Sequence, residues 1–343
     1  MVSLSTVNDS NARIATGLPT GMVAVFVGAT SGIGEYTLKT FAQQTKEPTI
    51  YLVGRSDTAA TRIVAECEEI NPGGKYVFIK SDVSLLKNVD NVCEQILSKE
   101  ESINLLFQTQ GTMVLDKTSE GLPIAYVLPV TSRILFTINL LPALQKAKSL
   151  RRVVSVLAGG FEGYFDHTSW VEFPVKNLTK SRGHLASMVT MANNVMARQA
   201  PNVSFIHIFP GGVRTGFGKD AKGGMAMVRM MYNFFGFFFI KHLPPDECGA
   251  RQLYCATSAR FPPAAATAMD HGDDGGVSLS DHVTVARGTD GKPGSGSYTI
   301  NFDAENVSLE VDKHLAQARA DGMEEKLWEH VLQEIEQATG KAR

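Results

Sequence analysis

The sequence has no CxxC pair. Its four cysteines, Cys67, Cys93, Cys248 and Cys255, are scattered over 343 residues. That spacing excludes a disulfide frame or a thiolate zinc site and suits an intracellular protein. No charge of one sign dominates: 33 Lys and Arg stand against 35 Asp and Glu, a formal net charge of −2. Composition therefore imposes no basic face, and nucleic acid is not an expected partner. Long apolar runs are missing too. The most apolar stretch, MMYNFFGFFFI at 230–240, is too short to span a bilayer, which takes about 20 residues. The first residues, MVSLSTVNDSNARIATGLPTG, lack the apolar centre of a signal peptide. A cytoplasmic protein without a membrane span is expected. One further absence matters below: no tyrosine falls between Tyr164 and Tyr232.

What is present is an ordinary globular balance, 43% hydrophobic and 20% charged residues, enough to fill a core. Short apolar runs recur as candidate strands: MVAVFV (22–27), TIYLV (49–53), KYVFI (75–79), INLLF (103–107), RVVSV (152–156), VSFIHI (203–208) and YTINF (298–302). Helical patterns separate most of them, at 62–70, 85–99, 131–149 and 183–199, with another at 246–258. This alternation predicts an α/β fold, a doubly wound parallel sheet with helices on both faces. Residues 1–20 read as a loose tail and 21–303 as one domain. Within that domain, 218–245 reads as a lid region and 262–296 as a long Gly- and Asp-rich loop. Residues 304–343 read as a C-terminal helical extension, with one charged helix over 310–337.

The motif that carries chemistry is VFVGATSGIGEYTL at 25–38. Gly28, Gly32 and Gly34 follow a buried strand and open a helix. Gly28 permits the tight turn, Gly32 lets the backbone approach a pyrophosphate, and Gly34 lets the helix lie close to the strand. With Thr30, Ser31 and Ile33 they offer the N–H groups and positive dipole end of a helix to phosphates. The second strand ends in Gly54-Arg55, where a preference for NAD would ask for Asp or Glu. A guanidinium suits a 2′-phosphate, so NADP(H) is the expected cofactor; the alternative is a surface arginine with no ligand. Asp82 and Val83 follow the third strand, at the expected adenine site. Asp270, His271, Asp273 and Asp274 lie in a Gly-rich loop without metal-ligand spacing, so no metal is expected.

GATSGIG, the later SDV and FPGGVRTGF (209–217) together resemble the short-chain dehydrogenase/reductase family over about residues 21–260. The tail, with GSYTINFDAENVSLE and EEKLWEHVL, is similar to a subgroup common in fungal secondary metabolism. The resemblance implies a single Rossmann-type sheet with a C-terminal lid, a nicotinamide cofactor and a small-molecule substrate. It also implies nicotinamide contacts from Pro210, Gly211, Val213 and Thr215, and a cofactor role for Gly111. The family's proton transfer rests on an Asn, a Ser and a Tyr-x-x-x-Lys pair. Here the NNAG stretch reads QTQG, with Gln108, Gln110 and Gly111. Leu157-Ala158 stands where a Ser pair is expected, and Pro129 lies near the relay Asn. Counting back from Pro210 sets Lys180 and His184 at the Tyr and Lys positions. An extra helical turn sets Lys176 and Lys180 there instead. Tyr164 is the nearest phenol, without a lysine four residues on.

Three readings follow. In the first, a reductase or dehydrogenase uses another acid: Lys180, Lys176 or His184. In the second, a redox-neutral isomerase, cyclase or dehydratase uses His184, Lys180 or Tyr164, with the cofactor not consumed or absent. In the third, the protein is a non-catalytic dinucleotide-binding partner. Arg182 reads either as part of this basic cluster or as a solvated helix entrance. The Phe-rich segment 227–245 reads as a lid over an apolar pocket for a polyketide- or terpenoid-like substrate; a core helix or a surface patch is the alternative. Met188, Met191 and Met196 read as core or dimer contact, so a homo-oligomer is possible.

Overall fold

The computed structural model describes residues 1–171, 177–216, 218–220, 242–267, 275–280 and 282–343. Seven strands form one parallel sheet in the order β3-β2-β1-β4-β5-β6-β9. They are β1 (Val23–Val27), β2 (Thr49–Gly54), β3 (Lys75–Lys80), β4 (Leu105–Gln108), β5 (Arg152–Val156), β6 (Ser204–Ile208) and β9 (Ser297–Ile300). The chain winds outward from β1 to β3, returns to β4 beside β1, and winds the other way. β1 is buried along its whole length, as a strand covered on both faces must be. Its side chains alternate: Val23, Val25 and Val27 enter one core, Ala24 and Phe26 the other.

The first face carries helices α5 (Leu86–Leu97), α7 (Thr131–Lys146) and α8 (Leu178–Gln199). The second carries α3 (Gly32–Gln44), α4 (Asp57–Ile70) and α9 (Pro245–Thr257). A small separate pair, β7 (Gly212–Val213) with β8 (His242–Leu243), runs parallel with Gly212 opposite His242. The reversal of strand order at β1 and β4 leaves a crevice at the carboxyl ends of the strands, the usual ligand position in such sheets.

Two segments depart from the sequence reading. Residues 1–20 are not a loose tail: they form α1 (Leu4–Ala12) and α2 (Ile14–Gly17), with Ser3 capping the first through Thr6 N at 3.1 Å. Val2, Val7, Ile14 and Leu18 join the second core. Asn11 Nδ2 donates to Ala250 O at 2.9 Å, and Arg251 Nη1 donates to Val2 O at 3.1 Å. The partner surface, on α9, is distant in sequence, so composition alone hides this burial. The C-terminal helix is broken as well. It becomes α10 (Leu309–Ala320) and α11 (Met323–Thr339), divided at Gly322, whose φ of 66° is left-handed. Leu327, Val331 and Ile335 of α11 belong to the first core. Buried Glu324 accepts from Asn194 Nδ2 at 2.8 Å and pairs with Arg198 and Arg319.

Most of the expected lid, 221–241, lies outside the described residues, as do 268–274 with Asp270, His271, Asp273 and Asp274. Among the described residues, no helix is long and apolar enough to cross a membrane, and no His, Cys, Asp or Glu group could hold a metal ion. The four cysteines are all free and buried.

If the N-terminal helices are part of the core, Ile14→Ala lowers unfolding free energy by about 3 kcal/mol, the usual cost of a large-to-small core change. A urea titration reads this directly. A loss below about 0.5 kcal/mol, typical of a surface site, would return residues 1–20 to the status of a tail.

Candidate active site

The crevice is built first by three glycines that leave no room for a methyl group. A Cβ at Gly28, where φ is +79°, would lie 2.7 Å from Gln110 N. One at Gly34 would lie 2.7 Å from both Ala29 Cα and Thr109 Oγ1. One at Gly54 would lie 2.4 Å from Thr30 Cγ2. So the turn after β1 meets the end of β4 and the start of α3 through backbone, and β2 closes on it through the Thr30 side chain. Gly54, which stands where an acidic side chain would mark NAD, is there because Thr30 fills that space. Ser31 precedes α3 without a side-chain capping bond, so the first N–H groups of the helix remain available to an acceptor. Thr215 packs on the same turn, 2.9 Å from the position of a Gly32 Cβ.

The crevice has a volume of about 1400 Å³. Gly28, Thr30, Ser31, Ile33 and Gly34 line one stretch of it, with Arg55, Asp82 and Val83. Gly111, Pro210, Gly211, Val213 and Thr215 line it further along. Of the residues expected to hold a cofactor, Gly32 alone does not border the space; it packs under Thr215. Arg55 Nη2 pairs with Asp220 Oδ2 at 3.1 Å, both exposed. The Asp82 carboxylate accepts from Ser84 N and Oγ, at 3.1 and 2.7 Å, which fixes the loop after β3.

The expected catalytic residues are not gathered in this crevice. His184 is buried, and its Nδ1 accepts from Asp166 N at 3.3 Å while Nε2 meets Trp170 O at 3.0 Å. Its ring stacks on Phe165 at 5.4 Å. Burial pulls its pKa down, against the opposing effect of the Trp170 carbonyl. It is a neutral structural imidazole with both nitrogens engaged. Lys180 is exposed, with Nζ 4.8 Å from the centroid of the Tyr164 ring. Neither Lys180 nor Tyr164 borders the crevice. Lys176 lies outside the described residues.

α8 does meet the crevice one helical turn apart, through Leu178 and Arg182. These lie two residues before Lys180 and His184, the pair that counting back from Pro210 gives. Asn177 Oδ1 accepts from Lys180 N at 3.0 Å and starts the helix there. Among the described residues, α8 thus brings an apolar side chain and a guanidinium to the crevice, and neither a phenol nor an ammonium. Arg182 lies over Phe161, 3.7 Å from the ring centroid. Leu157, Leu128 and Met113 add apolar wall. Two more crevice residues escape sequence reading. Arg133 comes from the first turn of α7, and His242 from β8 beside the 212–213 segment. An isolated Arg and a lone His carry no spacing signal.

Leu157 is held in place by a buried polar network. His207 Nε2 accepts from Ala158 N at 3.0 Å. His207 Nδ1 lies 2.8 Å from Thr190 Oγ1 and 3.3 Å from Glu162 Oε1. Glu162 also accepts from Thr190 and Thr299 hydroxyls, each at 2.6 Å, and from Gly160 N at 2.7 Å. Burial alone pushes the Glu162 carboxyl up, but His207, Thr190 and Thr299 outweigh it and hold the pKa below the ordinary value. A carboxyl lowered on folding stabilises above its unfolded pKa of about 4.3 and loses that contribution as pH falls through the folded value. Glu162→Gln should therefore cost about 1.5–3 kcal/mol near pH 7, as expected for losing hydrogen bonds to a buried carboxylate. It should also flatten the loss of stability below about pH 4.3. Urea unfolding at pH 7 and pH 3.5 checks this; an unchanged acid slope would remove Glu162 from the account.

Comparison with known proteins agrees with this geometry. The family profile described as short chain dehydrogenase matches residues 22–157. An oxidoreductase of Emericella nidulans is 37% identical, over 98% of this chain and 99% of its own. Oxidoreductase andH of Emericella variicolor is 34% identical, over 100% of this chain and 99% of its own. Among solved structures, L-sorbose reductase from Gluconobacter frateurii, complexed with NADPH and L-sorbose, superposes with a TM-score of 0.51 at 19% identity. That match covers 78% of this chain and 97% of the reductase, and it speaks for the fold. The chain belongs to the short-chain dehydrogenase/reductase family.

Proposed function

We propose that the protein is an NADP(H)-dependent oxidoreductase that interconverts a carbonyl and an alcohol on a small apolar metabolite, with a proton donor other than the family's phenol. The observation that carries this is one continuous crevice. It runs from Arg55, past a glycine turn that a Cβ would block, to Leu157, Leu178 and Arg182. The residues fit the cofactor. The turn and the α3 N-terminus suit a pyrophosphate, and Arg55 suits a 2′-phosphate once it exchanges Asp220 for it. The NADPH complex of the similar L-sorbose reductase supports the same choice.

When bound, the nicotinamide supplies a hydride to the carbonyl carbon. The protein's own task is to exclude water, orient the carbonyl and deliver one proton to its oxygen. Met113, Leu128, Leu157 and Leu178 exclude water. Among the described residues bordering the crevice, His242 is the one imidazole, a group that can both give and take a proton. We assign it the proton donor's role, taking over what Lys180, Lys176 or His184 would have done. The substrate is accordingly polyketide- or terpenoid-like. Four free cysteines and the resemblance of the tail suit a cytoplasmic enzyme of fungal secondary metabolism.

A second reading has its own support. Among the described residues, α8 brings to the crevice neither the phenol nor the ammonium of the family's hydride-transfer relay, as suits a redox-neutral isomerase, cyclase or dehydratase. Absorbance at 340 nm separates the two. Stoichiometric loss of NADPH with a panel of aryl and terpenoid ketones supports reduction; turnover of product at constant absorbance supports the redox-neutral enzyme. For the cofactor itself, Arg55→Gln should weaken NADPH binding about tenfold or more, since a charged hydrogen bond is worth about 1.5–3 kcal/mol. NADH binding should hardly change. Fluorescence titration measures both, and equal effects on the two nucleotides would rule out a 2′-phosphate contact.

A further inference from the structure

Arg133 borders not only the crevice but also a small cavity of about 10 Å³ with mixed polar and apolar lining. That cavity has room for one water-sized acceptor, and Gln108, Thr137, Ser155 and Asn193 also line it. The Arg133 side chain is deeply buried, 2% exposed. Its Nη2 donates to Gln110 O at 2.7 Å and Val156 O at 3.0 Å, tying α7 to the ends of β4 and β5. Nε and Nη1 have no partner. No carboxylate among the described residues pairs with this guanidinium, and burial alone draws its pKa down to about 9. Asn193, buried on the same cavity, leaves Nδ2 without an acceptor.

These groups share one deficit. They are donors lacking acceptors, and one is a cation lacking an anion. A buried unpaired charge is costly, and an anion brought by a ligand relieves that cost. The Gln110 carbonyl lies just past β4 and the Val156 carbonyl on the last residue of β5, and Arg133 reaches both from α7 rather than from the turn that opens α3. The missing anion therefore belongs to the other occupant of the crevice.

Resting on the reading of the crevice as a nicotinamide site, we propose that Arg133 binds an anionic oxygen of the substrate. The substrate is then an apolar metabolite that carries a carboxylate or an enolate close to its reacting carbon. Leu128, Leu157 and Leu178 take its apolar body. Gln110 Oε1, also without a partner, accepts a hydroxyl from it.

Three probes test this: benzoate, its neutral counterpart benzamide, and the enolisable diketone benzoylacetone. Each is titrated calorimetrically into the full-length protein saturated with NADP+. Benzoate or benzoylacetone should bind at least tenfold tighter than benzamide. A benzoate preference identifies a carboxylate, and a benzoylacetone preference an enolate. Arg133→Met should abolish the preference and leave NADP+ affinity within twofold. Equal binding of all three probes to the unaltered protein overturns the proposal, and this comparison stands even if Arg133→Met does not fold. A preference that survives in Arg133→Met also overturns it, as does a variant that loses NADP+ instead. NADP+ binding without an anion preference sinks this inference alone; no NADP+ binding at all sinks the nucleotide reading as well.

Discussion

The backbone of the turn after β1 runs so close to its neighbours that nothing larger than hydrogen fits between them. Gly28 lies against Gln110, Gly34 against Ala29 and Thr109, and Gly54 against Thr30. This contact decides where β1, β2 and β4 end relative to each other, and with them the shape of the crevice. It also aims the N-terminus of α3 into that space. Phosphate recognition is thereby written in main-chain N–H groups, which substitution of side chains elsewhere leaves intact. The reacting end has no such protection. It depends on what α7, α8 and the loop after β5 present, and there no tyrosine lines the crevice among the described residues.

What does line it is coherent. Leu128, Leu157 and Leu178 give the crevice apolar wall, and Arg182 and Arg133 bring positive charge to it. The buried Glu162–His207 network keeps the Leu157 loop rigid although no serine there takes part in chemistry. An active site that lost its function by drift would have little reason to hold a buried guanidinium with open donors at its floor. The arrangement suits an amphiphilic substrate, apolar over most of its surface and negative at one oxygen.

Much of the fold was legible because parallel strands covered on both faces must be apolar throughout, as in VAVFV and RVVSV. The glycine turn was equally plain, since its spacing is dictated by backbone contact. The N-terminal helices were not. Val2, Val7, Ile14 and Leu18 stand among Ser, Thr and Asn, and their burial depends on α9, more than two hundred residues away. The side chains that α8 brings to the crevice were not legible for a related reason. The segment between β5 and α8 has no sequence anchor, so counting from Pro210 pointed to Lys180 and His184, whereas Leu178 and Arg182 border the space. His184 misled because its engagement with the backbone of Asp166 and Trp170 leaves no trace in spacing. Arg133 and His242 were missed because single residues have no pattern.

The account stands on a crevice that keeps its dinucleotide while doing without a phenol. The most direct measurement is a crystal structure of the complex with NADP+. It should show the pyrophosphate on the Gly28–Gly34 turn and Leu157, Leu178 and Arg182 around the nicotinamide. No tyrosine oxygen should lie within hydrogen-bond reach of the ribose. A Tyr164 hydroxyl at the nicotinamide, or a nucleotide lying outside the crevice, would contradict it.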